Sequence, residues 1–253
     1  MNPITGIIGP NGAGKTYYLQ HLSLSPDAAF AQAGADIYFF GSTPRAHLRT
    51  IARMWTGLDV SHAEKILGFD PELSLRQLSV GQRQLLICAT VLASSRPTLL
   101  FDEPFNGLDV DNRSYLRELL VTAAENAAVT LSSQHSQDLA GLVDRVRTVN
   151  EHTVSEPISL DELRSKHPVL SGPKGEVAAI SADYRLLEET SLGGRVRQVL
   201  SGELRPSAAD FARHAGVSVS YLAPDELIDL AASSTYAARQ EDFLPHLNAR
   251  SSS

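Results

Sequence analysis

An α/β fold built on a mostly parallel sheet is predicted for this chain of 253 residues by three observations. Residues 1–150 alternate short apolar runs with helical patterns, as strands joined by crossover helices do. A β-branched run at 4–8 leads into Gly9-Pro10-Asn11-Gly12-Ala13-Gly14-Lys15-Thr16, a full match to the phosphate-binding pattern G-x-x-x-x-G-K-S/T, and a helical pattern at 16–22 follows. Further on, the run Thr98-Leu99-Leu100-Phe101 ends in Asp102-Glu103-Pro104, so a buried strand delivers two acids to the end of the sheet where the glycine-rich loop also sits.

Each element has a local reason. Strands are expected at 5–8, 37–40, 98–101, 128–132 and 145–149, each an apolar run followed by turn or capping residues. Helices are expected at 44–55 and at 61–67, the second broken by Gly68 and Pro71. The helix at 79–93 has Ser79 as N-cap and an apolar stripe of Leu85, Leu86, Ala89 and Leu92. Residues 44–95 thus read as a small helical subdomain inside the 1–150 domain. After Asn150 the texture changes, with Pro157, Pro168, Pro173, Gly193 and Gly194 among the residues that punctuate short elements. Strands at 177–180, 196–200 and 217–222, with helices at 161–166, 207–215 and 225–232, make a small α+β accessory domain over 151–238. The stretch 239–253 reads as a frayed tail.

Composition narrows the function. A hydrophobic content of 43% supports a real core. A net charge of −7 with no basic block argues against nucleic acid as a partner. The single cysteine, Cys88, excludes a disulfide framework or a four-ligand zinc site within the chain and fits a reducing, cytoplasmic setting. No apolar run reaches the ~18 residues of a membrane span. The opening Met1-Asn2-Pro3-Ile4-Thr5-Gly6 has neither the basic nor the long apolar region of a secretory signal.

The loop 9–16 turns backbone N–H groups toward a phosphate, and the helix N-terminus behind it adds a positive field. Lys15 is placed to reach the β- and γ-phosphates of a nucleotide, and the Thr16 hydroxyl to ligate Mg²⁺. Asp102 would hold the same ion through water, and Glu103 would orient the attacking water or take its proton. Leu78-Ser79-Val80-Gly81-Gln82-Arg83-Gln84 makes a second anion site at a helix N-terminus. A second such site is explained if two chains face each other across the nucleotide.

With Ser79-Val80-Gly81-Gln82 upstream of Asp102, Gly107-Leu108-Asp109 just after it and Ser133-Gln134-His135 beyond, residues 1–150 resemble the ATP-binding subunits of ABC transporters of the bacterial exporter type. The resemblance implies a P-loop ATPase in which two cassettes, identical or paralogous, clamp two ATP molecules head to tail. Each ATP would lie between the loop 9–16 of one chain and the signature 79–82 of the other. Asp109, in the D-loop, would sit across the dimer interface, and His135 would touch the γ-phosphate. The family also implies Mg²⁺, a separate transmembrane permease subunit and a place on the inner face of the cell membrane. Val169-Leu170-Ser171-Gly172-Pro173 and Leu192-Gly193-Gly194 are similar to tails of exporter cassettes.

The chain departs from the family pattern at several points. Val80 replaces the central glycine of the signature but keeps its N–H, so a modest effect is expected. The family's Q-loop glutamine should follow the strand expected at 37–40, where the chain reads Gly41-Ser42-Thr43. Candidates for coupling are then the residues of the basic-aromatic stretch 45–55, in a trimmed helical subdomain that Met54 and Trp55 otherwise simply pack. Only eight residues precede Gly9, where the family carries upstream strands and an aromatic that stacks on adenine. Either the start lies further upstream, or nucleotide is held almost wholly through phosphate and Mg²⁺ and ATP and GTP compete nearly equally. Tyr17 and Tyr18 read as packing residues. Two competing functions fit less well. ABC-type ATPases acting on DNA or ribosomes need long heptad arms, zinc inserts or a second cassette, for which there is no room. A regulatory, non-catalytic cassette would not be expected to keep Lys15, Glu103 and His135 together.

Overall fold

The computed structural model describes residues 2–32, 38–233 and 240–242, and the chain divides into two units, 1–157 with 237–253, and 158–236. The first unit contains β1 (Thr5–Ile8), α1 (Lys15–Leu22), β2 (Ala28–Ala31), α2 (Pro44–Met54), α3 (Val60–Ile66), α4 (Val80–Leu92), β3 (Thr98–Phe101), α5 (Val110–Ala123), β4 (Ala128–Ser133), α6 (Ser136–Leu139), β5 (Arg145–Asn150) and β6 (Thr153–Ser155). The second contains β7 (Ile158–Ser159), α7 (Leu160–Lys166), β8 (Pro168–Pro173), α8 (Lys174–Ser181), β9 (Arg185–Leu192), β10 (Arg195–Ser201), α9 (Pro206–His214), β11 (Ser218–Tyr221) and α10 (Pro224–Ala232). A last strand, β12 (Gln240–Asp242), belongs to the first unit.

The sheet of the first unit runs β12-β6-β5-β1-β4-β3-β2. β5, β1, β4, β3 and β2 are parallel, while β6 and β12 are antiparallel to their neighbours. A parallel strand covered on both faces needs an unbroken apolar run. β3 meets that demand, with Leu99, Leu100 and Phe101 all buried. β1 lies between β4 and β5, so the loop that leaves its C-terminal end opens beside the ends of both. Helices α2, α3 and α4 close over a separate core of Leu48, Ala63, Ile66, Leu67, Leu78, Leu86 and Ala89. Their starts are capped by Thr43, Asp59 and Ser79, whose side chains accept N–H groups of Ala46, His62 and Gln82.

The strand expected at 37–40 is not formed by its described residues, Tyr38, Phe39 and Phe40. The strand beside β3 is instead β2, paired Ala28↔Thr98 through Ala31↔Phe101. Its small residues let α4 pack against it, with Ala29 and Ala31 buried. Tyr38 is 79% exposed. Phe40 stacks on His47 and donates its N–H to His47 Nδ1 at 3.1 Å. The break expected after Asn150 falls after Pro157, because β6 folds back on β5 through the turn at Glu151 and His152. Most of the tail expected to fray lies outside the described residues, but Gln240–Asp242 pairs with β6 as β12.

The second unit follows the order β8–α8–β9–β10–α9–β11, with an antiparallel sheet β11-β8-β10-β9, the split βαβ arrangement of ferredoxin-like folds. Its core is Leu170, Val177, Ile180, Val196, Leu200, Ala212 and Val217. The run 177–180, expected as a strand, lies in helix α8. Val177 and Ile180 stand three apart and face the core together, with two helix-favouring alanines between them. β8 and β9 were not expected. β8 carries proline at both ends, and β9 is an edge strand with almost every side chain exposed, so neither shows apolar alternation.

His47 carries the pH sensitivity of the helical subdomain. Burial pushes its imidazole down to about 4, and Nδ1 must stay unprotonated to accept the Phe40 N–H. The folded-state value lies below the unfolded one, so the stability from neutral His47 is complete above about 6.5 and is lost as pH falls toward about 4. Urea midpoints measured between pH 7 and 4.5 should therefore fall more steeply for the wild type than for His47→Asn, whose amide oxygen can still accept. Equal slopes would remove His47 from this role.

Candidate nucleotide site

The phosphate loop is fixed by backbone demands before any side chain acts. Gly14 caps α1 at φ 107°, a left-handed conformation that a β-carbon resists. A β-carbon on Gly9 would lie 2.2 Å from the Val149 carbonyl oxygen, so the loop runs along β5 at a distance only glycine allows. Lys15 is buried. Its Nζ donates to the carbonyls of Gly9 at 2.8 Å and Pro10 at 3.3 Å, and stands 3.4 Å from Glu103 Oε1. The ammonium is thus folded back into its own loop.

β3 brings Asp102 against this loop. Asp102 is 2% exposed, and each of its oxygens is satisfied by a hydroxyl: Thr16 Oγ1 donates to Oδ2 at 2.7 Å and Ser132 Oγ to Oδ1 at 2.6 Å. Ser132 also accepts the Glu103 N–H at 3.0 Å. Ser132 was not among the expected site residues. Its only sequence signal is a hydroxyl at the end of the neighbouring strand, in line with Asp102 through the pairing Phe101↔Leu131.

Glu103 sits at φ 45°, a region few residues other than glycine adopt and one found often at functional sites. Burial pushes its carboxyl above the usual glutamate range; the Lys15 ammonium opposes that shift and the Asp102 charge adds to it. Its Oε2 is buried without a hydrogen-bond partner. A carboxylate so placed is suited to taking a proton from water. The Thr16 hydroxyl and the Asp102 carboxylate are hard oxygen donors at one point, as Mg²⁺ requires when phosphates and water complete its shell. Among the described residues no group of three or more His, Cys, Asp or Glu side chains gathers as a metal cage.

The remaining expected residues form two further groups. His135 stands exposed at the end of β4, beside the strand of Asp102 and Glu103, and donates its N–H to Ser133 Oγ at 3.0 Å. Ser79 and Gln82 close a reciprocal cap at the start of α4, with N–H to oxygen distances of 3.1 and 3.0 Å. Asp109 caps α5, accepting the Asn112 N–H at 2.8 Å. Val80 is 72% exposed and packs so closely on Gly107 that a β-carbon there would lie 2.6 Å from Val80 Cγ1. The signature and the D-loop therefore meet each other. Among the described residues no hydrogen bond or ion pair joins them to the phosphate loop.

The residue that follows β2 is Gln32, and the next strand begins its acidic turn beside it, with Asp102 donating its N–H to Ala31 O at 2.9 Å. Tyr18 packs on the core of Ile7, Leu19 and Leu100, as expected. Tyr17 is 40% exposed.

No protein-family model matches the chain. It is 33% identical over 174 residues to the molybdenum import ATP-binding protein ModC of Mycobacterium tuberculosis, covering 67% of this chain and 43% of that one. It is 31% identical over 147 residues to the cytochrome c biogenesis ATP-binding export protein CcmA of Hyphomonas neptunium, covering 53% of this chain and 75% of the relative. A solved structure of the ATP-binding subunit of an ABC transporter superposes with a TM-score of 0.54 at 21% identity, over 64% of this chain and 80% of that one, which shows a common fold. The chain spans about half the length of several curated relatives that it matches, at 43%, 45% and 50%.

The close approach at Gly9 makes a sharp expectation. Gly9→Ala forces the loop away from β5 and should weaken nucleotide binding by about a hundredfold, a cost of about 3 kcal/mol. Equilibrium titration with a fluorescent ATP analogue reads it. Affinity within threefold of the wild type would mean that the loop tolerates the shift.

Proposed function

Because the chain belongs to the family of ATP-binding subunits of ABC transporters, we propose that it binds and hydrolyses ATP to power a membrane transporter through ATP-driven pairing of two cassettes. The observation that carries the reading is the contact in which Thr16, from the phosphate loop, and the buried Asp102, from the end of β3, meet next to the Lys15–Glu103 pair. Bound there, Mg²⁺ would neutralise charge on the phosphates, with the Thr16 hydroxyl as its protein ligand and Asp102 holding it through water. Lys15 exchanges the carbonyls of Gly9 and Pro10 for phosphate oxygens. Glu103, relieved of its cation, becomes the base for the attacking water. His135 reaches the γ-phosphate from the end of β4. Ser79, Val80, Gly81 and Gln82, with Asp109, serve the nucleotide held by the second cassette, which is this chain or a paralogue.

The partner outside the cassettes is a transmembrane permease, and the protein works on the cytoplasmic face of its membrane. The docking surface proposed for it is narrower than the stretch 45–55. Arg45 is tied to Glu64 and Glu72, and Trp55 lies under the Arg96 guanidinium at 5.9 Å. Arg49, Arg53 and Met54 are exposed and remain. Export is the finer reading and rests on the likeness of the 169–173 and 192–194 segments to exporter tails. The alternative, action on nucleic acid or ribosomes, has only the shared ATPase fold in its favour.

Glu103→Gln should keep nucleotide binding, slow turnover by about a hundredfold or more, and shift the protein toward a dimer on gel filtration with ATP. Ser79→Arg should stop turnover while the single chain still binds nucleotide. Loss of binding by Ser79→Arg would end the idea that the signature acts on the partner's nucleotide. Cys88 is fully buried, with its thiol pushed up to about 12, so Arg49→Cys supplies the one reactive thiol. It should crosslink to the co-expressed permease, and crosslinking only from other faces of the cassette would displace the docking surface.

A further inference from the structure

Helix α5 grips the His135 loop at two points one turn apart. Arg113 forms an ion pair with Asp138 Oδ1 through Nη1, and its Nη2 donates to the Phe105 carbonyl at 3.4 Å. Asp138 is 4% exposed, and its other oxygen, Oδ2, accepts from Ser133 Oγ at 2.9 Å. Ser133 Oγ in turn accepts the His135 N–H at 3.0 Å. Four residues further along α5, Arg117 donates to the Asp138 carbonyl at 2.7 Å and to that of Ala140. A carboxylate buried to this degree must be paired, and pairing one oxygen with a guanidinium and the other with a hydroxyl fixes its plane. α6 has only four residues and cannot hold the loop by its own backbone bonds. His135 itself is exposed. Its place is set through Ser133 and Asp138 by Arg113.

We infer that Arg113 and Asp138 are positioning residues that hold His135 for phosphate chemistry and that α5 carries the position of Asp109 to it. The same helix is capped by Asp109 at one end and bonded to the His135 loop from its second turn. Arg113 also bonds the carbonyl that follows the Glu103-Pro104 turn. A shift of the Asp109 end therefore reaches both the histidine and the acidic turn in one rigid step. The inference rests on the proposed ATPase reading for its catalytic consequence, but the relay exists without nucleotide.

Hydrogen exchange on the nucleotide-free protein tests the relay directly. In Arg113→Met and in Asp138→Asn, amides in the peptide 133–140 should exchange about tenfold faster than in the wild type, while those of α4 stay unchanged. Arg113→Lys should restore part of the protection. ATP turnover tests the consequence. kcat should fall about ten- to hundredfold with KM for ATP nearly unchanged, and Arg113→Met should add nothing in a His135→Ala background. Unchanged exchange in both single variants would overturn the relay, as would a full further loss of turnover in the His135→Ala background. A wild type that hydrolyses no ATP would refute the proposed function, and exchange would still decide the relay. Should Arg113→Met fail to fold, Asp138→Asn and Arg113→Lys carry the same comparison.

Discussion

The first unit turns on one buried carboxylate. Asp102 has lost nearly all contact with water, and its charge is tolerated because hydroxyls from two different elements point at its two oxygens. Thr16 comes from the helix behind the phosphate loop and Ser132 from the strand beside β3. The contact thus requires β1, β4 and β3 to lie next to one another in that order, and it requires the strands to end at the same level. The sheet order and the registers Ile7↔Ser132 and Phe101↔Leu131 meet both demands. The strained backbone of Glu103 depends on it in turn, since its N–H is held by the hydroxyl that holds Asp102.

Around that anchor the charged groups of the loop are already paired. Lys15 spends its hydrogen bonds on two carbonyls of its own loop and on Glu103, all of which phosphate oxygens can replace. Glu103 keeps one buried oxygen unpartnered and a carboxyl raised above its usual range. The signature and D-loop turns are built on the same economy, with each helix start capped by its own side chain before any partner is present.

The second unit has a core of its own. Its sheet buries Leu170, Val196 and Leu200 against α8 and α9. Strand β9 forms its edge, carrying Glu188 and Glu189 in the middle and a register shift opposite Val199 and Leu200. Charges and irregular pairing are ways in which an exposed edge avoids joining other strands.

Where a residue's role follows from its neighbours in the chain, the amino-acid order alone determined it. The run Gly9 to Thr16 curls because of its glycines, Ser79 caps because Gln82 stands three residues on, and Leu99 to Phe101 is a buried stretch of strand because it is apolar throughout. What depended on partners distant in sequence was decided only by the tertiary structure. The edge strand settled on the small residues of β2, because α4 must pack against it, and not on the aromatic run 38–40. Val177 and Ile180 became helical because a sheet stood ready to cover their one shared face. Ser132, Asp138 and Arg113 carry no motif. Ser132 matters because strand pairing brings its hydroxyl onto Asp102, and Asp138 and Arg113 because one helix brings guanidinium to carboxylate; spacing along a chain does not encode distances through space.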